Sequence, residues 1–370
     1  MSAMHRIDER LRLGRRAVLI NRLAVAPMTT SQSNPDGSLS DAELRWLERL
    51  AADGYGMVIT CAAAISRSSI AFANQLSAGD DRFLPGLEVL AGRLAARSTL
   101  GVVQLCHGGS RALVELTGQE PHSASSYSLP GVPGFVRPRA LSTPQIEQII
   151  EDFASAGARV AKADFGGVEF HGANGYLFTQ FISTMTNQRA DAYGGSLEHR
   201  ARFAREVVRA CRSRVPDDFV LGFRMSFEGS PLETGLDIDE NIQIMNWLVE
   251  DGIDYGHVSH LDLTAPSVKH PGKVALSYVR AGVARRLPLV AAGGVTSLAD
   301  ATRALELGAD VVAIGRAAIG NARIPERFTR AEPLARSPFS RAALEALGIS
   351  PDFLSYLTTA IPVSRLNIVE

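Results

Sequence analysis

The sequence predicts a single α/β domain, a (β/α)8 TIM barrel with a long loop after the third strand and a C-terminal helical tail. Three observations carry that expectation. Eight short apolar runs alternate with longer amphipathic stretches along the 370 residues. A His, a carboxamide and a phenol follow directly after one such run, where an α/β protein places its chemistry. No GxGxxG follows the first run and no GxxxxGK[ST] occurs, which weakens the doubly wound alternative.

Taken in order, Leu23–Ala26 is the first expected strand, followed by a periodic helix over Asp41–Asp53. Gly56–Thr60 and a helix over Gly86–Ser98 form the second unit, and Gly101–Leu105 is the third strand. The segment from His107 to Ser142 is too long for an ordinary βα loop. Rich in Gly, Pro and Ser, it reads as an ordered excursion over the barrel mouth that could include a hairpin. A helix over Thr143–Ala163 starts at a capping residue before Pro144 and leads to the strand Gly167–His171. A second long loop, Asn174 to Gly195, precedes a helix over Ser196–Arg214 with an acidic first turn. Val220–Arg224, Tyr255–Ser259, Leu289–Ala292 and Val311–Ile314 complete the strands, with helices over Ile238–Asp251, Ala275–Arg286 and Ser297–Leu307 between them. The barrel is expected to occupy residues 1–321. The extension 322–370, with short helices over Ser340–Leu347 and Asp352–Leu357, would pack on the barrel wall or serve a subunit contact.

Composition bounds the function. Hydrophobic residues make up 46% of the chain, enough for one large core. With 38 basic against 39 acidic residues there is no electrostatic footprint for nucleic acid or an acidic membrane. Cys61, Cys106 and Cys211 are scattered without a CxxC pair, which argues against a disulfide framework and a cysteine-ligated iron–sulfur cluster. His257 and His260 lie along a strand segment rather than one helix face, so no metal site is expected. Neither a signal peptide nor a membrane span is legible, so a cytoplasmic location is expected.

The most informative stretch is His171-Gly-Ala-Asn174-Gly-Tyr176, followed by Asn187-Gln-Arg189-Ala-Asp191-Ala-Tyr193-Gly-Gly-Ser196-Leu-Glu198-His-Arg200. Two side chains able to hydrogen-bond one acceptor lie beside a third able to give up a proton, which suits activation of a carbonyl or nitro group and protonation of the product. At these residues the chain resembles the Old Yellow Enzyme family of flavin-dependent ene-reductases. The likeness extends in family order through Asn21–Thr29, Val103-Gln104-Leu105, Gly222-Phe-Arg224, Ala292-Gly293-Gly294-Val295 and Ala313-Ile-Gly315-Arg316.

The resemblance implies non-covalently bound FMN, with NAD(P)H as reductant and a small-molecule activated alkene as acceptor; homo-oligomer formation is left open. The backbone of Ala26, Pro27 and Met28, together with Ala62, would line the ring. Thr29 would reach O4, Gln104 the pyrimidine edge and Arg224 the N1/O2 edge, where a guanidinium favours the reduced form. Gly293, Gly294, Gly315 and Arg316 would hold the phosphate. His171 and Asn174 would share one substrate oxygen, and Tyr176 would protonate the α-carbon as hydride reaches the β-carbon. Each assignment has a plainer counterpart. Arg224 could pair with Glu169 inside the barrel, the Gly-Gly turns could be tight turns only, and His171 and Tyr176 could be packed side chains. Asp191, Glu198 and Arg200 read as an ion-pair clasp. Ser31 stands where one family subgroup has Tyr. The competing functions are an FMN-dependent dehydrogenase or demethylase of an amine or reduced carbon, a flavin-free phosphate-binding barrel isomerase or lyase, and a flavin-binding sensor.

Overall fold

Eight parallel strands close on themselves in a computed structural model that describes residues 7–129, 135–229, 233–359 and 366–369. An N-terminal hairpin, β1 (Leu11–Leu13) and β2 (Ala17–Leu19), comes first. The barrel follows with β3 (Leu23–Val25), helix α1 (Asp41–Ala52), β4 (Met57–Ala64), α2 (Leu84–Ala95) and β5 (Leu100–Cys106). The excursion after β5 holds the short helix α3 (Val114–Thr117) and two short strands, β6 (His122–Ser123) and β7 (Arg139–Ala140). Next come α4 (Thr143–Lys162), β8 (Gly167–Gly172), α5 (Leu177–Ile182), α6 (Leu197–Arg212), β9 (Val220–Met225), α7 (Ile238–Asp251) and β10 (Tyr255–Ser259). Helix α8 (Ala275–Gly282), β11 (Leu289–Ala292), α9 (Leu298–Glu306) and β12 (Val311–Ile314) complete the circuit. Pairing of Val312 with Leu23 and of Ile314 with Val25 closes the ring between β12 and β3.

All eight expected strands are present, because each is buried on both faces and so appears as an unbroken apolar run. Outward-facing residues such as Val103, Val168, Phe170 and Phe223 pack against the helices in one cluster. Inward-facing Met57, Ile59, Val102, Val220, Val290 and Val311 form a second cluster with Leu13 and Leu19 of the hairpin. The hairpin thereby fills the N-terminal end of the barrel.

Helix starts follow local chemistry. Ser40 accepts a hydrogen bond from Glu43 N, Ser297 from Asp300 N, and Asp237 from Asp239 N and Glu240 N. Such a cap contributes about 1 kcal/mol. Helix α8 stops at Gly282, short of the expected Arg286, and Asn246 bonds the chain on either side of the stop, at Gly282 O and Ala284 N.

Two expectations need correction. Strands β6 and β7 run parallel, so they do not form a hairpin. The clasp of Asp191, Glu198 and Arg200 does not form either: Asp191 pairs with Arg189, while Arg200 reaches Glu240 at 2.7 Å on the neighbouring helix. In the tail, α10 (Arg316–Gly320) and α11 (Ile324–Thr329) lead to β13 (Phe339–Ser340), α12 (Arg341–Ala346), α13 (Pro351–Thr359) and β14 (Ile368–Val369). Strands β13 and β14 pair, and the Phe353 ring meets Trp46 of α1 edge-on at 5.3 Å, fixing the tail to the barrel wall.

Candidate active site

Period-2 alternation along the barrel strands sets polar side chains inward in layers. One layer joins Gln104 on β5, Glu169 on β8, Gly222 on β9 and Tyr255 on β10, which are successive register partners. A Cβ on Gly222 would come within 2.0 Å of the Tyr255 ring, so only glycine lets that phenol cross toward Glu169. The next layer joins His171, Arg224 and His257 in the same way.

Glu169 is the centre of the lower layer and is fully buried. It accepts from Gln104 Nε2 at 2.7 Å, from the Tyr255 hydroxyl at 3.0 Å and from His257 Nδ1 at 2.8 Å. Burial pushes its carboxyl up, but His257, Arg224 and Gln104 together hold it below its ordinary value. His257 is kept neutral by burial, against the pull of Glu169, so the bonded Nδ1 carries its proton. Arg224 makes no direct bridge to Glu169 among the described residues. Its guanidinium donates to Ser259 Oγ at 3.0 Å and lies 3.5 Å from Pro27 O, and its buried Nε has no partner.

Above this, at the C-terminal end of β8, the His171 and Tyr176 ring centroids are 4.9 Å apart. Burial, with Arg224 next, holds His171 well below its ordinary value, so it is neutral, and its Nδ1 is buried without a partner. Asn174 is exposed at φ +61°, a left-handed conformation that Asn tolerates better than most residues. Its N–H meets Ser226 Oγ at 3.3 Å, and Gly175 N meets Glu233 Oε1 at 3.0 Å. Ser226 bonds Glu233 in turn, so the loop after β9 holds the loop after β8. Arg111 bonds the Asn174 carbonyl and lies over the Tyr176 ring at 4.9 Å. Burial pushes the Tyr176 phenol up to about 12, with Arg111 opposing.

The remaining predicted residues flank this centre. Ala26 continues the ladder by donating to Ile314 O at 3.0 Å, and Pro27, Met28 and Thr29 form the half-buried turn beyond it. Ala62 is the register partner of Gln104, just after an irregularity in the β4–β5 ladder. Gly293 follows β11 where a Cβ would meet His260 O at 2.5 Å, and Gly294 has φ +69°. Gly315 follows β12, with Met28 Sδ 3.7 Å from the position of its Cβ, and Arg316 beside it is exposed. Burial raises the Cys61 and Cys106 thiols, leaving both unreactive. No cluster of potential metal ligands occurs among the described residues.

Glu169, Tyr255, His257 and Arg111 had no place among the expected site residues. The first three could have been found by extending the inward-facing alternation of β8 and β10, whereas Arg111, in a single 3-10 turn after β5, carries no periodic signal. The arrangement suits a flavin mononucleotide. Three buried polar atoms of one layer, on Arg224, His171 and His257, have no protein partner, and glycines directly follow the adjacent strands β11 and β12.

The chain matches the NADH:flavin oxidoreductase / NADH oxidase family over residues 10–334. A protein of Bacillus subtilis named as a probable NADH-dependent flavin oxidoreductase is 37% identical over 302 residues, 80% of each chain. An NADH:fumarate oxidoreductase of Klebsiella pneumoniae is 33% identical over 344 residues, 90% of this chain but 37% of that protein. Among solved structures, morphinone reductase is 28% identical with a TM-score of 0.80, covering 91% of this chain and 92% of that one. The Old Yellow Enzyme homologue of Zymomonas mobilis, 24% identical with a TM-score of 0.81 over 94% and 98% of the two chains, shares the fold.

Proposed function

This chain belongs to the NADH:flavin oxidoreductase / NADH oxidase family, that of Old Yellow Enzyme, and from that premise we propose that it reduces activated alkenes. It is an FMN-dependent NAD(P)H oxidoreductase. The finer reading is that its acceptor is an alkene conjugated to a carbonyl or nitro group. Bound FMN supplies the relay of a hydride from NAD(P)H to the acceptor. Gly293, Gly294, Gly315 and Arg316 hold the phosphate in this reading, and Ala26–Thr29, Ala62, Gln104 and Arg224 hold the ring.

The observation that carries the proposal is the pairing of His171 with Tyr176 at the end of β8, with the Asn174 loop between them. Neutral His171 donates a hydrogen bond to the acceptor's oxygen, and Asn174 donates a second. Both withdraw charge from the conjugated system, which makes the β-carbon electrophilic. Tyr176 carries its proton at neutral pH, as any phenol does and the more so with its pKa raised by burial, and can deliver it to the α-carbon. Orientation of the alkene supplies much of the remaining gain.

Anaerobic reduction by NADH or NADPH, followed by mixing with cyclohexenone, tests the reading. Flavin reoxidation with formation of the saturated ketone is expected. Anaerobic reduction of the flavin by an amine, with no enone turnover of the reduced enzyme, would favour the dehydrogenase reading instead.

A further inference from the structure

We propose that Glu169 is a positioning residue for FMN, acting through Gln104 and Arg224 without touching the cofactor. A carboxylate only accepts hydrogen bonds. At 2.7 Å from the Gln104 carboxamide, Glu169 therefore requires the amide nitrogen to face it; the flipped amide would set two acceptors against each other. That choice fixes the rest of the group. Gln104 Oε1 and the second N–H remain, an acceptor beside a donor, and the carboxamide makes no further hydrogen bond among the described residues. A flavin's pyrimidine edge presents N3–H between two carbonyl oxygens, the complementary pair. The other carboxylate oxygen is held by Tyr255 and His257, so Glu169 cannot turn away.

The same carboxylate sets the charge of the site. Arg224 lies close enough to feel it but directs its bonded donors to Ser259 and Pro27, with Nε left unpaired. Glu169 therefore offsets the guanidinium's charge without neutralising it by contact. An anionic reduced flavin would meet a cation moderated from below. The site binds the oxidised ring without overstabilising the reduced one, which must give up its electrons. Register makes this arrangement local to four strands: Gln104, Glu169 and Tyr255 share a layer only because Gly222 leaves space for the phenol.

The holoenzyme loaded with 15N-labelled FMN provides the first test. In the wild type, the N3–H proton should be hydrogen-bonded and slow to exchange by NMR; a freely exchanging N3–H would overturn the proposal. In Glu169→Gln, N3–H exchange should quicken, the FMN dissociation constant should rise roughly tenfold because either orientation of the Gln104 amide is then satisfied, and the midpoint potential should become more positive. A merely structural carboxylate would lower the melting temperature and leave the potential unchanged, and that result would also overturn the proposal. The exchange variant Glu169→Gln with Gln104→Glu keeps the hydrogen bond between the two positions but brings the charge to the cofactor. Its potential should fall below that of the wild type, and equal potentials in the two variants would count against a positioning role. None of these readouts depends on the acceptor, so failure of the alkene assignment is separable.

Discussion

The guanidinium of Arg111 lies over the ring of Tyr176, 4.9 Å from its centroid, while also bonding the backbone carbonyl of Asn174. A phenol that gives its proton to carbon is left as a phenolate, and Arg111 is positioned to stabilise that charge. Arg111→Met should slow reoxidation of the reduced enzyme by an enone roughly 2- to 30-fold, the range of a cation–π contact of about 0.5–2 kcal/mol. Flavin reduction by NAD(P)H should be unchanged. Stopped-flow measurement of the two half-reactions separates these outcomes; equal slowing of both would make Arg111 a loop anchor only.

Tyr176→Phe should divide the reaction along the same line. Reduction of the flavin needs no proton from the protein and should stay near the wild-type rate. Enone reoxidation should fall by about 10²–10⁴-fold, the usual cost of removing a positioned acid. A nitroalkene should still be reduced but leave as the unprotonated nitronate, detectable by its absorbance. Full activity with enones would assign the proton to water or another group.

His171 and Asn174 should together bind an oxygen anion. Phenols are expected to stack on the oxidised flavin and give a long-wavelength band whose titration reports affinity. The double substitution His171→Ala with Asn174→Ala should weaken that binding by roughly 3–6 kcal/mol, as two bonds to a charged acceptor that are not strictly additive. Unaltered phenol affinity in a folded, flavin-loaded double variant would remove both residues from the site.

Acid should destabilise the fold through buried histidines. Burial lowers His107 from its ordinary 6.5 to about 3, and His171 moves the same way. The unfolded chain therefore takes up these protons first, and stability is lost as pH falls from about 6.5 toward 3, at about 1.4 kcal/mol per pH unit for each group. His107 Nδ1 accepts from Gly109 N at 3.0 Å, so Asn can retain the acceptor without the titration. His107→Asn should show a shallower fall in urea-unfolding free energy between pH 7 and 5; an identical slope would mean that His107 takes up its proton at the same pH in the folded and unfolded chain.

The barrel was legible because strands buried on both sides are mainly apolar, and because Thr143-Pro144 and Ser196 mark helix starts in the sequence, although the cap of the first proves to be Ser142, one residue earlier. The β1–β2 hairpin was not legible. Its strands are three residues long, and Arg12 stands between Leu11 and Leu13, which hides the apolar side. The string around His171 drew attention to the upper layer of the site, where three residues lie close in sequence. The network around Glu169 escaped because Tyr255 and His257 reach it across 86 and 88 residues, contacts that only strand register brings about. Arg200 was assigned to a nearby acid for a related reason: its partner Glu240 belongs to the next helix.

Leu13 and Leu19, both fully buried against the first residues of several barrel strands, act as a stopper at the far end from the chemistry. Met57, Ile59, Val102, Val220, Val290 and Val311 fill the space beyond them, so the barrel is a plugged core and not a channel. The polar layers are thereby cut off from solvent on that side, and the rim that carries His171 is left as the face from which they can be reached.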